Sequence, residues 1–263
     1  MAVDQPVVRA DADSLTIRKI GLADLRDALV QGYADFTAMP SHAVFLCVIY
    51  PIIGFVMIRY IITGDSLLPM VFPLVAGYAL VGPFAAVGLY ELSRRRELGI
   101  DASPSHIWEV FRLPTFGPVL ELGAMLAFFF VCWLAAAHAI YYLTFHDEIP
   151  SSGGDFLREI FTTQAGWALI IVGNGVGFLF AAAVFSLGVV SFPLVLDRHV
   201  GAAEAMVTSL RAVAANPLTM AVWGLIIAVA LVLGSIPFFI GLIVVMPTLG
   251  HASWHLYRKV VAH

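Results

Sequence analysis

Long stretches without charged residues dominate the chain. Five of them are long enough to cross a bilayer, because the hydrocarbon core of about 30 Å needs about 20 apolar residues in a helix. The third stretch is interrupted only by Glu121. The stretches are Phe36–Ile58, Ser66–Tyr90, Leu113–His146, Ile160–Leu196 and Ala212–Tyr257. This pattern predicts a membrane protein built from apolar helices.

The last stretch, Ala212–Tyr257, is much longer than one crossing needs. Its middle carries Gly234 and Pro237, residue types that favour a turn. We therefore predict two helices in this stretch. Six spans follow for the whole chain, near residues 43–63, 67–90, 118–143, 166–192, 217–233 and 237–257.

The fourth predicted span lies in a stretch that also exceeds one crossing. We expect its helix to tilt or to project beyond the bilayer, with Pro193 as a kink near its far end. Residues 21–258 then form the membrane domain. Residues 1–20 and 259–263 are predicted to be polar tails.

Three segments on one side of the predicted spans indicate amphipathic helices, and each runs into a proline before a pair of spans. Their apolar residues are Leu22, Leu25, Leu29, Tyr33 and Phe36; Ile107, Trp108 and Phe111; and Val200, Ala203, Met206, Val207 and Leu210. The predicted fold is all-α: a polytopic bundle of six transmembrane helices, built as three copies of an amphipathic helix plus a transmembrane hairpin. Without a repeat, the same segments would be linkers that lie on the interface as helices.

Composition excludes several classes of protein. Hydrophobic residues make up 60% of the chain and charged residues 12%, whereas soluble domains carry about 45–50% and about 25%. Soluble globular, disordered and collagenous proteins are therefore excluded. The formal net charge of −4 provides no basic field, so nucleic acid is not an expected partner. Cys47 and Cys132 both lie in apolar stretches, where a disulfide framework is not expected.

Basic residues predict the orientation in the membrane. Only two of the 14 Lys and Arg residues, Arg59 and Arg158, fall on the side opposite to all the others. The positive-inside rule then places both termini in the cytoplasm. The first 35 residues contain no short apolar core of a signal peptide, so we expect the first span to be an uncleaved anchor.

Glu121, His138 and Asn174 fall within predicted spans, where polar groups are costly and are functional candidates. Glu121 would serve transport or proton movement, or form an interfacial salt bridge with Arg112. For His138 we expect a buried, hydrogen-bonded histidine rather than a ligand. Asn174 lies in a G-x-x-x-G segment that begins at Gly173, and we expect its amide to bond across a close helix contact, with a substrate site as the alternative.

His251 and His255 are four residues apart and so share one face of a helix. This spacing could bind a metal, but the glutamate of the zinc-protease pattern is missing, and packing at the interface is the expected role. No second histidine faces His138 at the same predicted depth, which argues against a bis-histidine haem. We therefore expect no metal, no cofactor and no catalytic residue.

Two motifs resemble a known family. Gly88–Arg95 reads GLYELSRR and Gly250–Arg258 reads GHASWHLYR, and Asn216-Pro217 opens the fifth predicted span. Together they resemble a bacterial family of integral membrane proteins of uncharacterised function, over nearly the whole chain from about Ile20. The resemblance implies the bacterial inner membrane as the location. It implies no activity and no residue roles.

Both motifs place aromatic, acidic or imidazole, and arginine side chains at the cytoplasmic end of an outgoing helix. We therefore predict a polar network at this rim. Glu91 or Asp197 is expected to meet arginines in this network, which also includes the candidates Arg94 and Arg95. The side chains of His251, Trp254 and His255 are expected near the amphipathic helices.

The leading functional hypothesis is a non-enzymatic membrane protein that acts as a scaffold, an accessory subunit or a lipid-interacting protein. Its expected partners are membrane lipids and either another membrane complex or a second copy. A small-solute transporter or channel is the alternative. The predicted spans contain only one carboxylate and no buried basic residue, which disfavours transport.

Overall fold

The computed structural model describes residues 15–39, 86–103, 115–146 and 152–262, together with the single residues 52, 69, 70, 73, 74 and 82. The predicted span at 43–63, most of that at 67–90 and the predicted helix around Ile107–Phe111 lie outside the described residues. The proposed three-fold repeat depends on these segments and stays a prediction.

The described part of the chain is all-α, as predicted. In chain order the helices are α1 (Leu22–Ala38), α2 (Val87–Glu97), α3 (Phe116–Phe145), α4 (Gly153–Thr162), α5 (Gln164–Gly188), α6 (Ser191–Arg198), α7 (Ala202–Ala215), α8 (Pro217–Ser235) and α9 (Leu242–Val260). Apart from these helices, the described residues form one isolated antiparallel β-bridge, between Ile17 and Val261.

Local signals start several of these helices. At α1 the carboxylate of Asp24 accepts a hydrogen bond from the backbone N–H of Gly21, at 2.9 Å. The hydroxyl of Ser152 caps α4, and that of Thr163 caps α5, by accepting from backbone N–H groups three residues on. Pro217 occupies the first turn of α8, where no intrahelical donor is needed.

Among the described residues, three helical segments are long and apolar enough to cross a membrane: Phe116–Phe145, Gln164–Arg198 and Pro217–Ser235. They coincide with the predicted spans at 118–143, 166–192 and 217–233. The predicted span at 237–257 differs, since α9 begins only at Leu242 and its second half carries two histidines, Arg258 and Lys259. The count of six spans therefore stays a prediction.

The turn before α9 explains its late start. Residues 236–241 form turns, and Phe238 and Phe239 adopt positive φ angles of 51° and 64°. Pro237 cannot donate a backbone hydrogen bond, so α8 ends at Ser235 instead of continuing. The turn that was predicted near Gly234 and Pro237 is thus present, but it is longer than expected.

The long apolar segment Gln164–Arg198 is interrupted once. Helix α5 ends at Gly188 and α6 starts at Ser191, and the backbone N–H of Val190 donates to the hydroxyl of Ser209 on α7, at 3.2 Å. Pro193 lies in the first turn of α6, where its missing N–H costs little. The interruption therefore precedes Pro193, and a side chain from α7 satisfies one backbone group freed there.

Helix α1 packs on α9 through a face that shares Leu25 with the predicted apolar face. Its buried residues are Leu25, Ala28, Gly32 and Asp35, whereas Leu22, Val30 and Tyr33 are exposed. At Gly32 the two backbones approach so closely that a Cβ would lie 2.5 Å from the backbone nitrogen of Ala252. Small residues form the contact because they permit this approach.

Helix α7 also buries mainly small residues against the protein. Its buried side consists of Ala202, Ala205, Thr208, Ser209 and Ala212, while the larger Val207 and Leu210 are each 44% exposed. Val207 and Leu210, two members of the predicted apolar face, therefore lie on the exposed side of α7. In a bilayer a large apolar side chain needs no burial in protein, because lipid tails are as apolar as a leucine-rich core.

The buried core lies at one end of the bundle, where α1, α2, α6, α7 and α9 meet the start of α3, the end of α5 and the start of α8. Its largest fully buried side chains include Trp223, Trp254, Tyr257 and Phe192. Away from this end, α3, α5 and α8 expose large apolar side chains such as those of Phe128, Phe178 and Leu225. We call the end with the core the polar end, because the arginine-rich C-terminal turn of α2 lies there.

Segment 15–20 is attached to the polar end, although residues 1–20 were predicted to be a polar tail. Asn216 accepts from the N–H of Ile20 at 2.8 Å and donates to the carbonyl of Arg18 at 3.1 Å. Arg18 N donates to the Val260 carbonyl at 2.7 Å. Val261, predicted in a tail at 259–263, is fully buried. These contacts join the two sequence-distant segments.

Candidate functional site

Four polar side chains from α1, α2 and α9 meet at the polar end. Asp35 comes from α1, Ser93 from α2, and His251 and His255 from α9. We call this group the polar junction. Ser93 and His251 have no exposed surface, and Asp35 is 6% exposed. The close contact of α1 with α9 at Gly32 brings Asp35, three residues further on, to the histidines.

Ser93 links Asp35 to His251. Its hydroxyl donates to Oδ2 of Asp35 at 2.6 Å, and Nδ1 of His251 lies 2.7 Å from the same hydroxyl. Because a hydroxyl has only one proton to give, Ser93 must accept from His251, and the ring proton therefore sits on Nδ1. The other nitrogen, Nε2, is buried without a hydrogen-bond partner in the described part of the chain.

Asp35 receives two further donors. Nε2 of His255 lies 2.8 Å from Oδ2, and Nη1 of Arg96 lies 3.2 Å from Oδ1. Burial acts to raise the pKa of Asp35, but the hydrogen bonds from His255 and Ser93 and the nearby histidine charges outweigh burial and lower it below its usual value. Asp35 is therefore ionised in the folded protein at neutral pH.

A second group, the Glu91 cluster, consists of Glu91, Arg94 and Arg95 on α2. The carboxylate of Glu91 is 1% exposed and accepts from Nε of Arg94 at 2.8 Å and from Nε of Arg95 at 2.7 Å. A second nitrogen of Arg94 makes the contact bidentate, at 2.9 Å. The hydrogen bond to Glu91 raises the pKa of Arg94 more than burial lowers it.

Arg258 connects two more acids on different helices. It binds Oε1 of Glu97 at 2.8 Å and approaches Oδ2 of Asp197 at 3.6 Å. Trp254 donates its indole N–H to Oε2 of Glu97 at 3.0 Å, and the hydroxyl of Tyr257 donates to Asp197 at 2.7 Å. The end of α9 is thereby tied to α2 and to α6.

A pocket of about 350 Å³ opens beside the polar junction. It is lined by α1, the end of α2 and the end of α9. The lining side chains are Gln31, Asp35, Ser93, Arg96, Glu97, His255, Arg258 and Lys259. We call it the Gln31 pocket.

Seven of the ten candidate residues lie together at this end: Glu91, Arg94, Arg95, Asp197, His251, Trp254 and His255. The other three do not join them. Glu121 is exposed on α3, and its predicted partner Arg112 lies outside the described residues. His138 and Asn174 are exposed on α3 and α5.

The predictions for His138 and Asn174 need correction. His138 was expected to be buried, but the packed face of α3 runs through Trp133, Ala137 and Tyr141, and His138 lies beside it. The amide of Asn174 bonds within its own helix, to the carbonyl of Ile170 at 2.7 Å, instead of across a helix contact. Of the two glycines, Gly177 packs on Trp133, whereas Gly173 has open space around it.

Sequence reasoning missed Asp35, Ser93, Arg96, Glu97 and Arg258 as members of this site. A signal was present for Asp35. Leu25, Ala28, Gly32 and Asp35 repeat at the three- and four-residue spacing of one helix face, and two of the four are small. Ser93 lies inside the GLYELSRR motif but has no local feature that marks it.

The groups of the polar junction are in a different order from those of a serine hydrolase. In a serine hydrolase the histidine lies between the carboxylate and the serine, whereas here the serine lies between Asp35 and His251. The hydroxyl proton of Ser93 is engaged by the carboxylate. Among the residues that the structure describes, no group of three or more His, Cys, Asp or Glu side chains is arranged to hold a metal ion.

One known protein family matches part of the chain. Residues 71–197 match the family model described as "Predicted integral membrane protein (DUF2189)". This segment is an integral membrane domain of unknown function. It includes α2, α3, α5 and the GLYELSRR motif, whereas α1 and the GHASWHLYR motif lie outside it, so the match is narrower than the resemblance noted from the sequence. No curated protein and no solved structure matches the chain significantly.

Proposed function

We propose that the protein is a non-catalytic membrane scaffold that contacts the lipid surface through α1 and α7. The observation that carries this proposal is the orientation of these two helices. Each buries small residues against the protein, Gly32 and Ala28 on α1 and Ala205 and Ala212 on α7, and exposes several larger apolar residues on the other side. In water such stripes would be unfavourable, whereas the bilayer interface stabilises them.

The outward stripe of α1 is held rigidly. Gly32 packs against Ala252, and Asp35 binds partners on both α2 and α9. These contacts leave Leu22 60% exposed and Tyr33 55% exposed on the side away from α9. Arg26 lies one helical turn from Leu22 and one from Val30. At this position its charge would meet anionic headgroups.

The outward stripe of α7 is similar. Val207 and Leu210 are exposed, and Arg211 lies one position further on. Only Asn216 separates α7 from the apolar α8, so the end of α7 lies next to the start of a span. Apolar side chains flanked by a cation suit the boundary between acyl chains and headgroups.

The placement of polar groups supports a scaffold over the transporter alternative. Glu121, His138 and Asn174 lie exposed and apart on α3 and α5 instead of converging. A transporter gathers such groups near the bilayer midplane. Here the charged side chains of α2 and α9 bind one another at the polar end, where they fix helices.

We place the polar end at the cytoplasmic face of a bacterial inner membrane. This orientation rests on the distribution of Lys and Arg and on the family resemblance. An accessory subunit of a larger membrane complex would use the same surfaces, and mild solubilisation followed by mass spectrometry of co-purifying proteins distinguishes this case from a lipid-contacting scaffold.

Spin labels test the lipid contact directly. Single cysteines would replace Tyr33 and Val207 in a chain that lacks Cys47 and Cys132, and the labelled protein would be placed in phosphatidylcholine nanodiscs. We expect both labels to collide with oxygen more than with a water-soluble nickel complex. A label at Asp27, on the polar side of α1, is the matched control and should show the reverse. Equal access of the nickel complex to all three positions would exclude the proposal.

A further inference from the structure

The Gln31 pocket has features of an anion-binding site. Gln31 of α1 lines the pocket, and Tyr33 of the proposed lipid-facing stripe is two residues away. Residues two positions apart do not share a helix face. The pocket thus lies on the side of α1 away from the proposed lipid-facing stripe. We propose that it binds the phosphate group of a water-soluble phosphate ester.

The two carboxylates that line the pocket are already occupied. Both oxygens of Asp35 accept from protein donors, namely Arg96, Ser93 and His255. Both oxygens of Glu97 do the same, with Trp254 and Arg258 as donors. Their negative charges are therefore balanced within the protein and leave the pocket's remaining donors to a ligand.

Two cations retain donor capacity toward the pocket. The described contacts of Arg96, to Asp35 and to the carbonyl of Ala34, all use Nη1, and a guanidinium carries five N–H groups. Nζ of Lys259 reaches Asp24 and Asp27 at 3.4 Å each, longer than the roughly 2.7–2.9 Å of a charge-assisted hydrogen bond. Gln31 adds an amide from α1.

These donors come from three different helices and so approach from different directions. A tetrahedral phosphate offers oxygens in each of these directions, whereas a carboxylate offers two in one plane. Arg and Lys are the side chains that commonly bind phosphate. The volume of about 350 Å³ exceeds that of a phosphate alone and leaves room for an attached organic group.

Binding can be measured on the full chain in phosphatidylcholine nanodiscs by titration calorimetry. The probes are inorganic phosphate and glycerol 3-phosphate, with acetate at the same ionic strength as the reference anion. We expect both phosphate probes to bind and acetate not to bind. Failure of both phosphate probes to bind more tightly than acetate would overturn the proposal.

Variants then locate the site. Lys259→Gln should raise the dissociation constant by about tenfold, since a charged hydrogen bond contributes about 1.5–3 kcal/mol. It leaves the contacts of Asp35 with α9 in place, so the fold is expected to persist, as the unfolding temperature checks. Arg158→Gln, an exposed cation on α4, is the matched control and should bind as the wild type does. Equal affinities of the two variants would overturn the assignment.

A final arm separates the two sources of phosphate. In nanodiscs that also contain the anionic lipid phosphatidylglycerol, the affinity for glycerol 3-phosphate should be unchanged apart from a surface-charge effect. That effect should be the same for the wild type and Arg158→Gln. Competition that disappears in Lys259→Gln would instead assign the pocket to a lipid headgroup and overturn the soluble ligand.

Discussion

Nε2 of His255 lies 2.8 Å from Oδ2 of Asp35, although 220 residues separate them in the chain. This contact joins α1, at the start of the described chain, to α9, at its end. Asp35 also binds Ser93 and Arg96 of α2. One carboxylate therefore fixes the positions of three helices at the polar end.

Replacing this carboxylate tests its structural role. Asp35→Asn keeps the size of the side chain but removes the charge, so the buried donors of Ser93, His255 and Arg96 lose part of their acceptor. We expect a loss of about 1–3 kcal/mol in the free energy of unfolding, measured as a lower unfolding temperature in detergent. Asp27→Asn, at a mostly exposed carboxylate on the same helix, is the control and should change stability by less than about 0.5 kcal/mol.

The stabilisation by Asp35 should depend on pH. Because its pKa in the folded protein lies below the ordinary value of 3.8, its contribution is complete above that value and is lost as the pH falls through the lower, folded pKa. The difference in unfolding temperature between the wild type and Asp35→Asn should therefore be constant near neutral pH and shrink below 3.8. A difference that grows on acidification would contradict this account.

Glu91→Gln tests the Glu91 cluster. Glutamine cannot balance the charges of Arg94 and Arg95, which approach the same buried carboxylate, so we expect a loss of about 1–3 kcal/mol. Thermal unfolding in detergent measures it. Glu121→Gln makes the same chemical change at an exposed position of α3 and should leave the unfolding temperature within error of the wild type. Equal effects of the two substitutions would refute the structural role of Glu91.

Gly32→Ala tests the close contact of α1 and α9. The added Cβ would meet backbone atoms of Ala252 at 2.5–2.7 Å, and the backbone cannot yield without separating the helices. We expect a loss of about 1–3 kcal/mol or more and faster amide hydrogen exchange in α1. Gly173→Ala places a methyl group in open space on α5, where the higher helix propensity of alanine should leave stability unchanged or slightly raised.

The apolar helices could be predicted from sequence because the cost of a charge in hydrocarbon is a local property. The long stretches with at most one charged residue therefore predict α3, α5 and α8 without information from the rest of the chain. The end of a helix is less predictable. The turn over residues 236–241 depends on how Gly234 and Leu242 pack together, which no local pattern reports.

The orientation of α1 and α7 could not be read from hydrophobicity. In a soluble protein, the larger apolar side chains of an amphipathic helix face the core. In contact with a bilayer, burial in protein and burial in lipid are about equally favourable for these side chains. Size then decides the contact, and the small residues Ala28, Gly32 and Ala205 face the protein.

The acids at the polar end were only partly predictable. Glu91 lies three and four residues before arginines on one helix, so its partners are visible in the sequence. Asp35 and Ser93 have partners on other helices, and their juxtaposition arises only when α1 docks on α9.

The contact between α1 and α9 can form only after most of the chain has been synthesised. A ribosome completes α1 long before it reaches His255, 220 residues after Asp35. During that interval the carboxylate of Asp35 lacks the imidazole of His255 that later binds it. Closure of the polar end is thus a late event in biogenesis, and a nascent chain cut short before α9 would leave its first helix without that tie.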